Sequence, residues 1–447
     1  MKGYVRIFTY GCQMNDLDSL KIYSLLAQDG WEPTESLKRA DLIILNTCSV
    51  RQKAYEKALS NIGRLRPYKR RKPSLIIAVT GCIAQQKGSD IISRMPHVDI
   101  VLGTHQLHRI CEAVSEKLEG TGPVVDVRFG ECIPSLDIIP DRAYVSPPHR
   151  AYINIMQGCN NYCSYCIVPY VRGSEISRNH TGIIDEVKRH AASGVKEIFL
   201  LGQNVNSYSG GISFPDLLRC ISEVEGIQRI RFTTSHPKDM SDDLVACFRD
   251  LVKLCNHIHL PFQSGSDRVL DLMNRQYTRK TYLCLIEKLR KTRPDMAFSA
   301  DVIVGFPGES EEEYCQTLDL IREVGFDTLY SFRYSVRPGT AAAALEDSVT
   351  PEEKSHRLTQ LQGIQRAITR KINQSRVGKT YSVLVDGVSV RDPLQVHGRT
   401  AQNAIVNFPG PSSLIGRVVD VMITRANPNS LTGEMTGYGS ERKTVSL

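Results

Sequence analysis

Over the first 120 residues, short apolar runs alternate with amphipathic stretches. Tyr4–Thr9 alternates as a half-buried strand does, and 16–27 places Leu17, Leu20, Leu25 and Leu26 on a helical period. Leu42–Leu45 and Leu75–Val79 are continuous apolar runs, as expected of strands in a parallel sheet covered on both faces. Helical patterns follow each run, so residues 1–120 are predicted to form a doubly wound α/β domain of βαβαβ type. Residues 121–148 have weak periodicity and carry Pro123, Pro134, Pro140, Pro147 and Pro148, which predicts a linker.

From Ala151 the pattern changes to six strand-like runs, each leading into a helical pattern: 151–156, 196–201, 230–235, 257–262, 298–304 and 328–334. Six βα units predict a partial, open (β/α)6 barrel over 149–373, with its chemistry at the carboxyl ends of the strands. Thr350-Pro351-Glu352-Glu353 predicts a helix start, with Leu358, Leu361, Ile364, Ile368 and Ile372 as the buried stripe. Beyond Gly378 the texture is all-β: 381–385, 404–406 and 418–424 read as strands between glycine turns, and a tail without strands begins at Gly437. A small five-stranded barrel over 374–440, with basic and amide-bearing loops, fits an RNA-binding module, and a purely stabilising domain is the alternative.

Length and composition sharpen this picture. A chain of 447 residues exceeds one compact core, and 41% hydrophobic with 23% charged residues is ordinary for a soluble protein. With no signal-like h-region and no apolar run of spanning length, the expectation is a cytoplasmic protein without a membrane partner. Thirteen cysteines, an odd number, argue against a disulfide framework and for metal or redox chemistry. The net charge of +8 suits an RNA partner, most sharply at Lys69-Arg70-Arg71-Lys72, where a solvated basic face is the alternative.

Two sets of three cysteines stand out. Gly158-Cys159-Asn160-Asn161-Tyr162-Cys163-Ser164-Tyr165-Cys166 follows a predicted strand, so Cys159, Cys163 and Cys166 can converge on one soft metal centre. A zinc knuckle would need a fourth ligand from elsewhere. Three thiolates can instead hold three irons of a [4Fe–4S] cube and leave the fourth open. Cys12, Cys48 and Cys82 each fall just beyond the carboxyl end of an N-terminal strand, the edge at which open α/β sheets bind ligands, and they predict an auxiliary cluster. Glycines before Cys12 and Cys82 allow tight turns, whereas buried core cysteines are the alternative. Cys111, Cys132, Cys220, Cys247, Cys255, Cys284 and Cys315 are read as core packing. Ser310 with Glu313 is read as a capping box, and His257 with His259 as satisfied strand histidines rather than metal ligands.

The CxxxCxxC loop, with Tyr165 before its third cysteine, resembles that of radical S-adenosylmethionine (SAM) enzymes, in which SAM chelates the open iron. The strand ends 202–206, 235–237, 263–266 and 305–308 are rich in amides, hydroxyls and glycine and suit the amino-acid and ribose parts of SAM. Tyr165, Gln203, Asn204 and Ser235 are the expected SAM contacts.

Taken together, these motifs resemble the methylthiotransferases over nearly the whole chain. The C-terminal module, with His397-Gly398-Arg399-Thr400 and 427–434, looks like a TRAM domain. Asn46-Thr47-Cys48-Ser49-Val50-Arg51, Cys166-Ile167-Val168-Pro169-Tyr170 and 201–206 are most similar to the branch that acts on tRNA. The resemblance implies two [4Fe–4S] clusters and two SAM molecules per turnover, one as methyl donor and one as radical source. It implies methylthio transfer to C2 of N6-isopentenyladenosine at position 37 in the tRNA anticodon stem-loop, by a monomer served by a low-potential donor such as flavodoxin or ferredoxin. Arg399 and the run Lys69, Arg70, Arg71 and Lys72 are the expected tRNA contacts. A related methylthiotransferase acting on N6-threonylcarbamoyladenosine or on a ribosomal protein is the nearest alternative, and an RNA-binding protein with structural metal the non-enzymatic one.

Overall fold

The computed structural model describes residues 2–49, 52–145, 147–390 and 392–436. Val50 and Arg51 of the second cysteine loop, and the tail from Gly437, lie outside the described residues.

The apolar runs of the N-terminal region become parallel strands of one sheet: β1 (Gly3–Thr9), β2 (Trp31–Pro33), β3 (Leu42–Thr47), β4 (Ile76–Gly81), β5 (Ile100–Leu102) and β6 (Val124–Asp126). Their spatial order is β2-β1-β3-β4-β5-β6, with every pair parallel. Every residue of β3 and β4 is buried, because helices cover both faces. Ile22 and Leu26 of helix Gln13–Gln28, with Ile110 and Ala113 of helix Ile110–Leu118, pack on Ile44 and Ala78 on one side. Ala58 and Ile62 of helix Gln52–Arg64 pack on Ile43 and Leu45 on the other. The chain leaves β1 for β2 and returns on the far side of β1 to β3, so the sheet's switch point lies between β1 and β3. The expected linker does not begin at residue 121: Val124–Asp126 is the sheet's sixth strand, three residues that carry no periodic signal.

The second region contains two parallel three-stranded sheets joined by a bridge between Ile230 and Leu254. The first runs β11 (Arg229–Phe232), β10 (Glu197–Leu201), β7 (Arg150–Asn154), and the second β12 (His257–His259), β13 (Ala297–Val304), β14 (Thr328–Arg333). A short antiparallel pair, β8 (Met156–Gln157) with β9 (Ile176–Ser177), flanks the CxxxCxxC loop. Alternation within the strands separates two environments. Ile153, Ile198, Leu200, Ile230, Phe298 and Val302 join the core beneath the helices, while Arg150, Glu197, Arg231, His257, His259, Ser299 and Asp301 occupy the alternate, inward positions. His257 Nε2 and His259 Nδ1 each lie 3.0 Å from Ser299 Oγ, as satisfied strand histidines do. Ser310 and Glu313 form the expected capping box, and Glu313 also binds Arg268 at 2.6 Å. Helix Pro351–Gln374 is capped by Thr350 and buries Leu361, with Leu358, Ile364 and Ile368 beside it; Ile372 is half-exposed.

The C-terminal region is a closed five-stranded barrel of order β15-β16-β17-β19-β18, from β15 (Thr380–Val388), β16 (Gln395–Thr400), β17 (Ile405–Pro409), β18 (Val418–Ala426) and β19 (Leu431–Met435). It docks on the strand side of the central region through buried charge. Glu197 binds Arg150 Nε at 2.6 Å and Arg231 Nε at 2.7 Å, and these arginines bind Asp386 and the Thr400 carbonyl. Burial raises the Glu197 pKa, but Arg231 and Arg150 outweigh it and hold the carboxyl at about 2. Glu197→Ala leaves two buried guanidinium groups without their shared partner and is expected to destabilise by about 3–5 kcal/mol at pH 7. Because the folded-state pKa is depressed, this contribution is present above the unfolded value near 4.5 and fades as pH falls toward 2. Urea midpoints of the two proteins are therefore expected to converge across that window.

One expectation is corrected here. Of the cysteines assigned to core packing, Cys247 and Cys255 are buried and Cys111 is half-buried, but Cys132, in a bend, and Cys220, Cys284 and Cys315, on helices, are exposed; apolar neighbours in sequence do not fix which way a side chain points. Arg399, expected to contact tRNA, lies at the barrel's docking face with its side chain partly exposed: its carbonyl accepts from Arg229 Nη1 at 2.6 Å and its guanidinium lies 3.5 Å from Asp386.

Candidate functional site

The first cysteine triplet occupies the carboxyl ends of β1, β3 and β4, at the switch point. Cys12 is the N-cap of helix Gln13–Gln28, and its backbone turn depends on Gly11, where φ is +142° and a Cβ would lie 2.6 Å from that of Cys48. Gly81, with φ +86°, brings Cys82 equally close to the second loop, since a Cβ there would lie 2.5 Å from the Thr47 carbonyl oxygen. Buried amides fix the loops to each other: Asn15 Nδ2 donates to Asn46 Oδ1 and the Thr47 carbonyl at 3.1 Å, and Asn46 Nδ2 returns a bond to the Asn15 carbonyl at 2.8 Å.

The second triplet lies on the turn after β8. Cys159 N–H donates to the Gly173 carbonyl at 3.1 Å and Cys166 N–H to that of Cys163 at 2.9 Å. The segment after helix Asp267–Leu272 clamps the turn: Ser164 N–H donates to the Met273 carbonyl at 3.0 Å, and Asn274 Nδ2 to the Tyr162 carbonyl at 3.1 Å. Arg275, buried between Asn274 and Gln276 with their positive φ, directs Nη1 to Cys163 Sγ and to the Tyr165 hydroxyl, 3.4 Å each, and Nη2 to the Pro261 carbonyl at 2.9 Å. Sequence reading missed Arg275; Asn274, a residue tolerant of the left-handed region, is the one local hint.

Both donor sets fit iron. Burial, reinforced by the neighbouring thiols, pushes Cys159 up to about 11 and Cys166 to about 12, and burial also raises Cys82. Buried thiols of this kind ionise when a bound cation compensates the charge. Among the described residues no three His, Cys, Asp or Glu are placed to hold a single metal ion. A cube instead takes one thiolate per iron, so its thiolates stand farther apart than the ligands of one ion.

The triplets lie on adjoining loops of different regions. Ile167 and Val171, just after Cys166, form one apolar cluster with Cys82. Thr104 Oγ1 donates to the Val171 carbonyl at 2.6 Å, and His105 Nε2 lies 2.9 Å from that of Arg172. The Arg337 guanidinium, from the loop after β14, is close enough to interact with both Cys48 and Cys166. Arg172 is buried against Asp18 at 2.9 Å, with its charge near enough to act on the Cys82 thiol. Arg172 and Arg337 escaped sequence reading as site residues because their partners lie far away along the chain.

Of the expected SAM contacts, Tyr165 is half-buried, packs with Met273, Phe306 and Tyr334, and faces Arg275. Gln203 Oε1 accepts from Gly158 N–H at 2.6 Å, so it fixes the entry to the cysteine turn. Asn204 Nδ2 donates to Asp239 at 2.7 Å and its Oδ1 accepts from His236 N–H at 3.2 Å, a rim-shaping role. Ser235 Oγ is buried without a partner among the described residues, as are His236 Nε2 and Gln263 Oε1, three polar atoms at the ends of neighbouring strands that suit a polar ligand. In the basic run, Lys69 binds Asp99 at 2.7 Å and Lys72 binds the Ala40 carbonyl at 2.9 Å and Asp41, so both are engaged within the sheet domain. Arg70 and Arg71 are exposed.

Family models match three stretches: "Uncharacterized protein family UPF0004" at residues 4–103, the "Radical SAM superfamily" at 153–321 and the "TRAM domain" at 374–436. A curated protein of Geobacter sulfurreducens named tRNA-2-methylthio-N(6)-dimethylallyladenosine synthase is 50% identical over 444 residues, covering 98% of this chain and 99% of the relative. One of the same name from Neisseria meningitidis is 47% identical and covers 96% and 99%. Among solved structures, the radical SAM methyltransferase TsrM of Kitasatospora setae, with tryptophan substrate and a SAM analog bound, superposes with a TM-score of 0.55 at 12% identity, covering 88% and 80% of the two chains. The cobalamin-dependent SAM radical enzyme OxsB gives 0.53 at 12% identity, with 81% and 56% covered. These two structures share the fold.

Proposed function

Since the chain belongs to the family of tRNA-2-methylthio-N(6)-dimethylallyladenosine synthases, we propose that it replaces the C2 hydrogen of N6-isopentenyladenosine at tRNA position 37 with a methylthio group. It is a radical SAM methylthiotransferase that uses an iron–sulfur cluster and S-adenosylmethionine. On this reading Cys159, Cys163 and Cys166 hold one [4Fe–4S] cluster and Cys12, Cys48 and Cys82 a second. The supporting observation is the packing of Ile167 and Val171 against Cys82, which seats the two triplets on adjoining loops.

An aromatic C2–H bond is beyond any side-chain acid or base of the site. When bound, the clusters and SAM supply a radical to activate that bond and the sulfur and methyl group that replace its hydrogen. The chain's own residues position and shield. Gln203, through Gly158 N–H, and Asn274, through the Tyr162 carbonyl, set the cysteine turn. Arg275 places positive charge beside Cys163 and holds the Tyr165 hydroxyl. Ser235, His236 and Gln263 offer their unpartnered atoms to the polar part of SAM. His236 does so as a neutral ring, since burial and the Arg275 charge push it down to about 2. The target base reaches such a site only when unstacked from the anticodon loop, and the C-terminal barrel and the exposed Arg70 and Arg71 are surfaces for the rest of the tRNA. The enzyme works as a monomer in the cytoplasm, with a flavodoxin- or ferredoxin-type donor. No helix among the described residues is long and apolar enough to cross a membrane.

Anaerobically reconstituted protein given SAM, a low-potential reductant and tRNA with or without the N6-isopentenyl group tests this. Methylthio product is expected with the isopentenylated tRNA alone. Product on threonylcarbamoylated tRNA or a ribosomal protein, with none on isopentenylated tRNA, would overturn the assignment.

A further inference from the structure

Arg172 is one of the residues through which the second region reaches the first triplet. It ends the short helix Val168–Arg172, six residues beyond Cys166, yet its guanidinium is buried inside the N-terminal region's cysteine site. Nη2 donates to Asp18 Oδ2 at 2.9 Å and Nη1 to Gln157 Oε1 at 3.2 Å, and the charge is near enough to act on Cys82 and Cys12. Asp18 lies on the helix that Cys12 caps, so one planar cation ties together two of the three cysteine loops and the strand that leads into the CxxxCxxC turn.

A buried arginine paired with one carboxylate is usually structural. Here the ion pair also lies against the first triplet: Val171, the residue before Arg172, packs with Cys82, and Asp18 belongs to the helix that Cys12 caps. Gln157 Nε2, beside this cation, is buried without a partner among the described residues, as are Ser49 Oγ and Thr80 Oγ1 next to Cys48 and Gly81, which marks the surroundings as polar. Buried cations beside sulfur ligands raise the reduction potential of an iron–sulfur cluster, because reduction adds negative charge, and they slow loss of its iron.

We propose that Arg172 is a positioning residue for the auxiliary cluster, supplied in trans by the radical SAM region, which holds the Cys12 and Cys82 loops in register and stabilises the cluster's reduced state. The inference rests on the reading that Cys12, Cys48 and Cys82 carry a cluster. The test uses full-length protein in which Cys159, Cys163 and Cys166 are all changed to Ala, so that any iron reports the first triplet. Arg172→Gln alone would strand the buried Asp18 carboxylate, so the variant compared is Asp18→Asn with Arg172→Gln, a neutral pair of similar shape, beside Arg172→Lys. The neutral pair is expected to lower the midpoint potential and to release iron to a chelator roughly tenfold faster or more. Arg172→Lys, which keeps the charge, is expected to stay near the parent potential. If the neutral pair leaves both potential and release rate unchanged, Arg172 is only a structural ion pair and the inference falls while the cluster assignment stands. If the parent binds no iron and sulfide, the cluster assignment fails and takes the inference with it.

Discussion

Cys159→Ala is expected to reduce 5′-deoxyadenosine formation to background, whereas Cys12→Ala is expected to go on forming it and to yield no methylthiolated tRNA. The difference follows from where the two thiols sit. Cys159 is anchored through its own N–H to the Gly173 carbonyl and shares a turn with Cys163 and Cys166, so its loss leaves two thiolates where a cube open at one iron needs three. Cys12 belongs to the other region, held by Asn15 and Asn46, and none of the bonds that shape the CxxxCxxC turn runs through it. Its removal spares the machinery that generates the radical and withdraws a ligand from the proposed sulfur-bearing site. Liquid chromatography with mass detection of both products in one reaction distinguishes the two effects. Methylthio product from Cys12→Ala would remove the first triplet from the chemistry.

Much of this site was legible because its signals are local. Cys48 and Cys82 directly follow β3 and β4, whose apolar runs announce buried parallel strands, and chemistry at the ends of such strands is a property of the fold class. The CxxxCxxC spacing is itself local. What escaped the reading depends on approach between distant segments. In helix Gln13–Gln28, Leu17 and Leu26 are buried as their period predicts, but Leu20 and Leu25 are only partly so, and Asn15, Asp18 and Lys21 are buried instead. That polar face is explained by Arg172, by the Asn46 amide and by the Ser135 and Leu136 carbonyls that receive the Lys21 ammonium, none of them visible from the helix sequence. The docking contacts of Arg399 were illegible for the same reason. A basic residue in an RNA-binding type of module suggests a phosphate contact, and only the docked barrel reveals Arg229 and Asp386 beside it. β5 and β6, at three residues each, are too short for a period to register.

Gly158→Ala is expected to be nearly as damaging as loss of a ligand, though it removes no functional atom. Gly158 sits at φ +86°, where an L side chain costs about 1–2 kcal/mol on backbone grounds. A Cβ built there would overlap the Ser174 carbonyl and come within 2.6 Å of that of Gly173. Neither carbonyl can withdraw cheaply: Gly173 accepts the Cys159 N–H, and the segment continues into β9, paired with β8. Relief must therefore come from the cysteine turn itself, which would pull Cys159 away from Cys163 and Cys166 and break the Gln203 bond to Gly158 N–H. The expected result is a loss of about half the iron per chain after reconstitution, with SAM cleavage near background and the first triplet still loaded. Gly182, on helix His180–Ala192 with nothing within 4 Å of a built Cβ, is the matched control. Gly182→Ala is expected to keep full iron and to gain up to about 1 kcal/mol in stability, as a helical glycine with open space around it does when replaced. Full iron and undiminished SAM cleavage in Gly158→Ala would mean that the turn need not close in this conformation to hold its cluster, because a loop able to absorb that overlap cannot depend on the backbone path described here.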